Sequence, residues 1–195
     1  MTEYDAKAEL NLYLQRAREA LLWKLEGLSE YDIRRPMTQT GTNLLGIVKH
    51  VASVELGYFG EVFGRPRDIS LPWFDEGAEP NDDMWATPDQ SRAEITGLYR
   101  RSWELADETI AELPLDAPGL VPWWGDKGAV TLHRIIVHMI AETQRHAGHA
   151  DIVRELIDGA VGVREDVPNM APGDEAWWGE YRDRVEQAAR EAPAT

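Results

Sequence analysis

The sequence contains no cysteine. Disulfides, cysteine-ligated zinc, iron–sulfur clusters and a cysteine nucleophile are therefore excluded at the outset. Positive charge is scarce as well: 20 Lys and Arg stand against 35 Asp and Glu, a formal charge of −15 over 195 residues. No basic run exceeds a pair, Arg34-Arg35 or Arg100-Arg101, so neither a nucleic-acid backbone nor an anionic membrane surface is an expected partner. Long apolar runs are missing too, and nothing approaches the ~18 consecutive apolar residues of a membrane span. The opening MTEYDAKAEL carries acids where a signal peptide needs a basic and then an apolar stretch, which makes the cytoplasm the expected location. Also absent are a phosphate-binding Gly-rich loop, a Gly-x-Ser-x-Gly elbow and the metalloprotease His-Glu-x-x-His. A ferritin-like di-iron centre would need Glu-x-x-His on two helices, and the chain has Glu-x-x-x-His on one.

What is present is apolar surface. Hydrophobic residues make up 43% of the chain, with 8 Trp, 6 Tyr and 3 Phe among them, enough for a sizeable core in one domain spanning 1–195. Leu10, Leu14, Ala17, Leu21 and Leu25 recur at helical steps within 3–28. After a connection over 31–42, Thr42 or Asn43 caps a second helix reaching about Phe63. Thr87-Pro88-Asp89-Gln90 has the form of a capping box, so a third helix is expected from there to about Leu113. Thr131 caps a fourth that stops before Gly159, and a short last helix covers about Asp174 to Ala189. No strand alternation or internal repeat stands out. The expected fold is all-α: a four-helix bundle with its core over about 3–159 and a short extra helix in a C-terminal extension, 160–195.

Chemistry shows as polar residues where a bundle helix should be apolar. On the fourth helix, Ile135, Met139, Val153, Leu156 and Ile157 define a core arc at 100° per residue, and the same arc holds His138, Glu142, His146 and His149. Burying such groups is costly unless they are paired, hydrogen-bonded or bound to a metal. Glu142 and His146 lie one turn apart, about 6 Å along the axis, and can reach one ion together. A histidine from a facing helix would complete a site of two imidazoles and a carboxylate with open positions, suited to zinc or another divalent first-row metal. On the second helix, Glu55 sits mid-arc and His50 at its edge. Glu55 reads two ways, as part of that site or as a buried carboxylate accepting from a Trp, Tyr or Arg. The long 65–86 loop, with Trp73 and Trp85, and the pair Trp123-Trp124 are expected at a pocket mouth.

Two segments, GTNLLGIVKHVASVELGYFGEVFGRP and WWGDKGAVTLHRIIVHMIAETQRHAGHADIVRELIDG, resemble the DinB and YfiT-like superfamily. These are metal-binding four-helix proteins that include mycothiol-dependent maleylpyruvate isomerase and bacillithiol or mycothiol S-transferases. The resemblance implies metal ligands at His50, Glu142 and His146, with Ala147-Gly148-His149 following as a turn of the family type. Many members have His where this chain has Glu142; the isomerase resembles it in having Glu. The isomerase's additional C-terminal domain has no counterpart here.

The resemblance implies thiol chemistry, and a chain without cysteine can perform it only with a low-molecular-weight thiol as cosubstrate. In that reading a divalent metal (zinc first, with nickel, iron or manganese as the other ions of the class) activates the thiol, while Glu55, His138 and His149 orient ligands or move protons. Two other readings stay open: a metal-dependent hydrolase, and a non-catalytic metal-binding helical stress-response protein. The resemblance also suggests a homodimer, with Trp177 and Trp178 covering an intersubunit surface.

Overall fold

The computed structural model describes residues 5–66 and 68–193. The chain is all-α apart from one small hairpin. Four long helices form the body: α1 (Ala6–Trp23), α3 (Leu44–Phe59), α4 (Arg92–Glu112) and α5 (Leu132–Asp158), with a short α2 (Glu30–Arg34) after the first and α6 (Glu175–Glu191) at the end. Each start is built by a side chain that satisfies an orphan helical N–H: Asp5 for α1, Ser29 for α2, Asn43 for α3, Thr131 for α5 and Asp174 for α6. The stops are equally local. Arg35 turns extended before Pro36, and Gly159 takes a left-handed φ of 80° to close α5.

Several boundaries differ from the sequence expectation, among them the end of the second long helix, which stops at Phe59 before Gly60 instead of reaching about Phe63. The first helix ends at Trp23 rather than 28, in a turn that leads to Gly27 at φ 74°, and the Glu3 and Tyr4 at its expected start lie outside the described residues. α4 starts at Arg92, not at 87. Gln90 Oε1 does accept the Thr87 N–H, as half a capping box, but it closes only a turn. Ser91 and Glu94 form the complete box, with both reciprocal bonds. The 114–130 connection, expected to lead straight to the Thr131 cap, contains most of an antiparallel hairpin of β1 (Pro118–Leu120) and β2 (Ala129–Thr131), pairing Gly119 with Val130. Between the strands the chain carries Trp123 and Trp124.

α3 is the central helix and packs against α4 and α5, while α1 packs against α5. Its residues are buried on nearly every side, Leu44, Leu45, Ile47, Val48, Val51, Ala52, Leu56 and Phe59 among them. The core runs the length of the bundle in two layers. One gathers Leu21, Ile33, Val48, Tyr99 and Val153; the other gathers Leu14, Phe59, Ile110, Ile135 and Met139. Leu156, expected in the core arc of the fourth helix, is 63% exposed. In those last turns the buried side runs instead through Ala150, Val153 and Arg154, whose guanidinium donates to the carbonyls of Lys24 and Glu26.

The segment between α3 and α4 folds back onto α3 and is fastened there. Lys49 is buried, and its Nζ donates to the carbonyls of Asp82 (2.6 Å) and Trp85 (2.8 Å) and to Gln90 Oε1 (3.1 Å), with the Trp73 ring 4.0 Å away. Gly46 lets the strap lie flat, because a Cβ there would stand 1.8 Å from the Met84 carbonyl oxygen.

Candidate metal centre

α5 supplies two side chains one turn apart, and α3 places a third opposite them. His146 Nε2 stands 3.1 Å from Glu142 Oε1, and His50 Nε2 stands 3.5 Å from the same oxygen. The two imidazole rings are 4.8 Å apart, and one donor atom from each of His50, Glu142 and His146 lies within 4.8 Å of the others. Two ligand atoms bound about 2.1 Å from one tetrahedral ion are roughly 3.4 Å apart. The two Glu142 distances straddle that value. The second nitrogen of His146, Nδ1, is buried with no hydrogen-bond partner among the described residues. The donor set fits a divalent ion with open positions, since all three side chains keep some exposure: 18%, 26% and 10% for His50, Glu142 and His146.

A fourth residue completes the arrangement, and sequence reasoning missed it. Asp83 Oδ2 lies 2.6 Å from His50 Nδ1. A carboxylate on the far nitrogen favours the proton on Nδ1, which would leave the Nε2 lone pair for an ion shared with Glu142 and His146. Asp83 arrives on the strap that Lys49 holds. A loop residue has no period, so no spacing rule points to it.

The charges around the triad set its protonation. Burial works against the charged form of His50, but the hydrogen bond and charge of Asp83, and after them those of Glu142, outweigh it and raise the pKa. His146 goes the other way, lowered by burial and by the His50 charge against the pull of Glu142. For Glu142 burial is again the largest influence and would raise the value, yet the His146 charge and the bonds from both imidazoles lower it. Asp83 is lowered by its bond to His50 in spite of burial.

The remaining candidates are placed apart from one another. His138, one turn before Glu142, stands edge-on to Tyr58 (4.7 Å) and Trp124 (5.0 Å), and burial holds its pKa down. The exposed His149 ring is perpendicular to His146 at 5.4 Å. The structure does not bring Glu55 to the triad. Its carboxylate is fully buried and bonded to Arg18, with Nε at 2.8 Å and Nη2 on the same oxygen, while Ser102 Oγ reaches the other oxygen at 3.4 Å. Burial first and the Asp107 charge second push the Glu55 pKa up against the pull of Arg18. Of the two readings of Glu55, the geometry is that of a carboxylate accepting from an arginine.

The profile of the Mycothiol-S-transferase family matches residues 9–159. The chain belongs to that family. It is thereby a member of the DinB/YfiT-like superfamily. The match begins early in α1 and ends at the glycine that closes α5, so it takes in all four long helices and every residue of the triad. Comparison with curated proteins gives no match. Among the described residues no helix is long and apolar enough to cross a membrane.

Proposed function

We propose that this family member transfers a low-molecular-weight thiol of the mycothiol kind onto a small electrophile, using a divalent metal held by His50, Glu142 and His146. The observation that carries the reading is the convergence of three ligand side chains at a solvent-reachable point in a chain with no thiol of its own. Zinc is the first candidate, with nickel, iron and manganese compatible with the same donors. When bound, the metal supplies a positive charge that lowers the pKa of a coordinated thiol and holds its sulfur for attack.

The protein's own residues do the rest. Asp83 accepts the Nδ1–H of His50 and keeps Nε2 free for the ion. Carbon–sulfur bond formation expels the leaving group with its electron pair, and the thiol proton needs an acceptor. His138 suits that role, because its lowered pKa keeps the imidazole neutral and neither ring nitrogen is hydrogen-bonded to a described residue. His149, exposed beside His146, passes protons on to water. The reading includes pairing of two copies through α6, where Trp177, Tyr181 and Val185 are exposed, and sedimentation velocity checks it.

The test uses zinc-loaded protein with mycothiol and 1-chloro-2,4-dinitrobenzene, read by absorbance of the thioether. Wild type should exceed the free-zinc rate, and Glu142→Ala should fall to it. If no thiol supports a rate and the wild type cleaves esters where Glu142→Ala does not, the hydrolase reading replaces this one.

A further inference from the structure

A pocket of about 540 Å3 opens between α3, the strap and the hairpin tip, a size suited to a small organic ligand. It adjoins the triad without containing it. Val54 lines it one turn beyond His50 on α3, about 6 Å along the axis, and Tyr58 follows one turn further. The Tyr58 ring is edge-on to both His138 and Trp123, at 4.7 and 5.3 Å. Tyr58 thus connects the pocket to the side chain assigned to receive the proton. A second cavity of about 490 Å3 lies between the end of α5 and α6; its nearest α5 residue, Glu155, is nine positions past His146, about 13 Å along the axis, too far to serve the triad.

The lining selects by shape and by charge. Val54, Ile69, Leu71, Phe74 and Trp123 give it apolar and aromatic walls. Gly57 is a floor without a side chain: a Cβ there would meet Trp123 Cη2 at 3.6 Å, and anything longer would fill the space. Glycine inside a helix costs helix stability, so the open floor is a feature the fold tolerates at a cost. The Ser53 hydroxyl is already committed, donating to the Lys49 carbonyl at 2.7 Å and accepting from Trp73 Nε1 at 2.9 Å. The charged side chains among the described lining residues are acidic. Glu61 and Asp75 line the pocket with no ion pair to any described residue, and no Lys, Arg or His is among the described lining residues. An anion entering here would lose hydration and find no cationic side chain among the described lining residues.

We propose that this pocket is the acceptor site, and that it takes the electrophile as a flat aromatic compound without negative charge and rejects its carboxylated counterpart. The assignment rests on the thiol-transfer reading for its role, whereas binding can be measured with no thiol present. Gly57 and Phe74 set the shape selection, and Glu61 with Asp75 sets the charge selection.

Equilibrium dialysis of the full-length zinc-loaded protein against 1,3-dinitrobenzene and 3,5-dinitrobenzoate, neither of which carries a leaving group, tests the site directly. The neutral ring should bind about tenfold or more tightly than the anion. Gly57→Leu should weaken the neutral ring by about tenfold with zinc stoichiometry unchanged, and Phe74→Ala, on the exposed opposite wall, should weaken it about threefold without risk to the bundle. Glu61→Gln with Asp75→Asn should narrow the gap between the two probes at least about fivefold, separating the local carboxylates from the overall charge of the chain. Equal binding of the two probes, or a neutral-ring affinity indifferent to both wall variants, overturns the proposal. With thiol added, turnover of 1-chloro-2,4-dinitrobenzene whose KM ignores Gly57→Leu and Phe74→Ala would sink the acceptor site and leave the transferase reading standing. Selective binding with no thiol-dependent turnover would sink the transferase reading, and the acceptor role with it, leaving only a binding pocket.

Discussion

Two polar clusters interrupt the apolar interior of this bundle, and they differ in one respect: where the positive charge comes from. Around Glu55 the protein brings its own. Arg18 donates to Glu55, to Asp107 at 2.8 Å and to Gln15 at 3.2 Å, and both Arg18 and Glu55 are fully buried. Around Glu142 no arginine or lysine among the described residues makes a bond. Two imidazoles and a carboxylate face one another with partial exposure, and a second carboxylate backs one of the rings. The first cluster is complete as it stands. The second has donor atoms that could hold a metal ion, and in the proposed reading a cation from outside completes it. A polar residue on a core face is therefore uninformative until its partner is known: Glu55 and Glu142 are the same residue type on similar arcs, yet one faces an arginine and the other two imidazoles.

The largest effect should come from breaking the self-sufficient cluster. Arg18→Ala leaves Glu55 buried without a counter-charge, and urea unfolding should show a loss of about 3–5 kcal/mol. The double change Arg18→Met with Glu55→Leu should recover most of that loss, while zinc binding stays intact in the double variant. Should the double variant remain as unstable as the single one, the pair is more than a neutralised charge.

The externally completed cluster should respond to metal instead. With free zinc at about 100 times Kd, occupancy adds roughly 2.7 kcal/mol, or about 5–10 °C in Tm for a chain of this size. Chelation should remove it. His146→Ala should abolish stoichiometric zinc by elemental analysis, and full occupancy in the double change at His50 and His146 would refute the triad. An unchanged melting curve after verified metal removal would make the two clusters alike after all.

Asp83→Asn sharpens the comparison by touching the backing carboxylate alone. Zinc affinity by competitive chelator titration should fall about 10–100-fold with one ion still bound. An unaltered affinity would show that Asp83 does not orient the ring.

Protonation gives the smallest effect. In the metal-free protein the raised His50 pKa adds stability that is fully present below its ordinary 6.5 and is lost as pH rises through the raised value. The lowered Asp83 pKa adds stability that is present above its ordinary 3.8 and is lost as pH falls through the depressed value. Lowered His146 and His138 oppose this, weakening the fold as pH drops below 6.5. The Tm difference between metal-free wild type and Asp83→Asn should therefore be widest between pH 3.8 and 6.5, worth about 1 kcal/mol after screening. A difference that is flat with pH would remove the ion pair.

Much of the molecule was legible in the sequence where a period or a cap carried it. The four long helices follow from apolar spacing and capping residues, and Glu142 with His146 follows from a four-residue step on a core face. His50 lay at the edge of its arc, and only the family resemblance paired it with the other two. Arg18 was hidden because an arginine among Leu14, Ala17 and Leu21 reads as the polar side of α1; its burial depends on Glu55, which is 37 positions away. The start of α4 was misplaced because Thr87 and Ser91 both head capping patterns, and only the tertiary anchor on Gln90 decides between them. Asp83 was out of reach for a related reason: its position is set by Lys49 and by the flat contact at Gly46, long-range facts with no local signature.

The strap has one further property. The same stretch of chain presents Asp83 to His50 and supplies Ile69, Leu71 and Phe74 to the wall of the neighbouring pocket. Two ligands that each favour the docked strap are thermodynamically linked through it, and linkage is reciprocal: the factor by which an ion strengthens the hold on an acceptor is the factor by which the acceptor strengthens the hold on the ion. A strap released at Lys49 would lose both affinities and, with them, the coupling between the two sites.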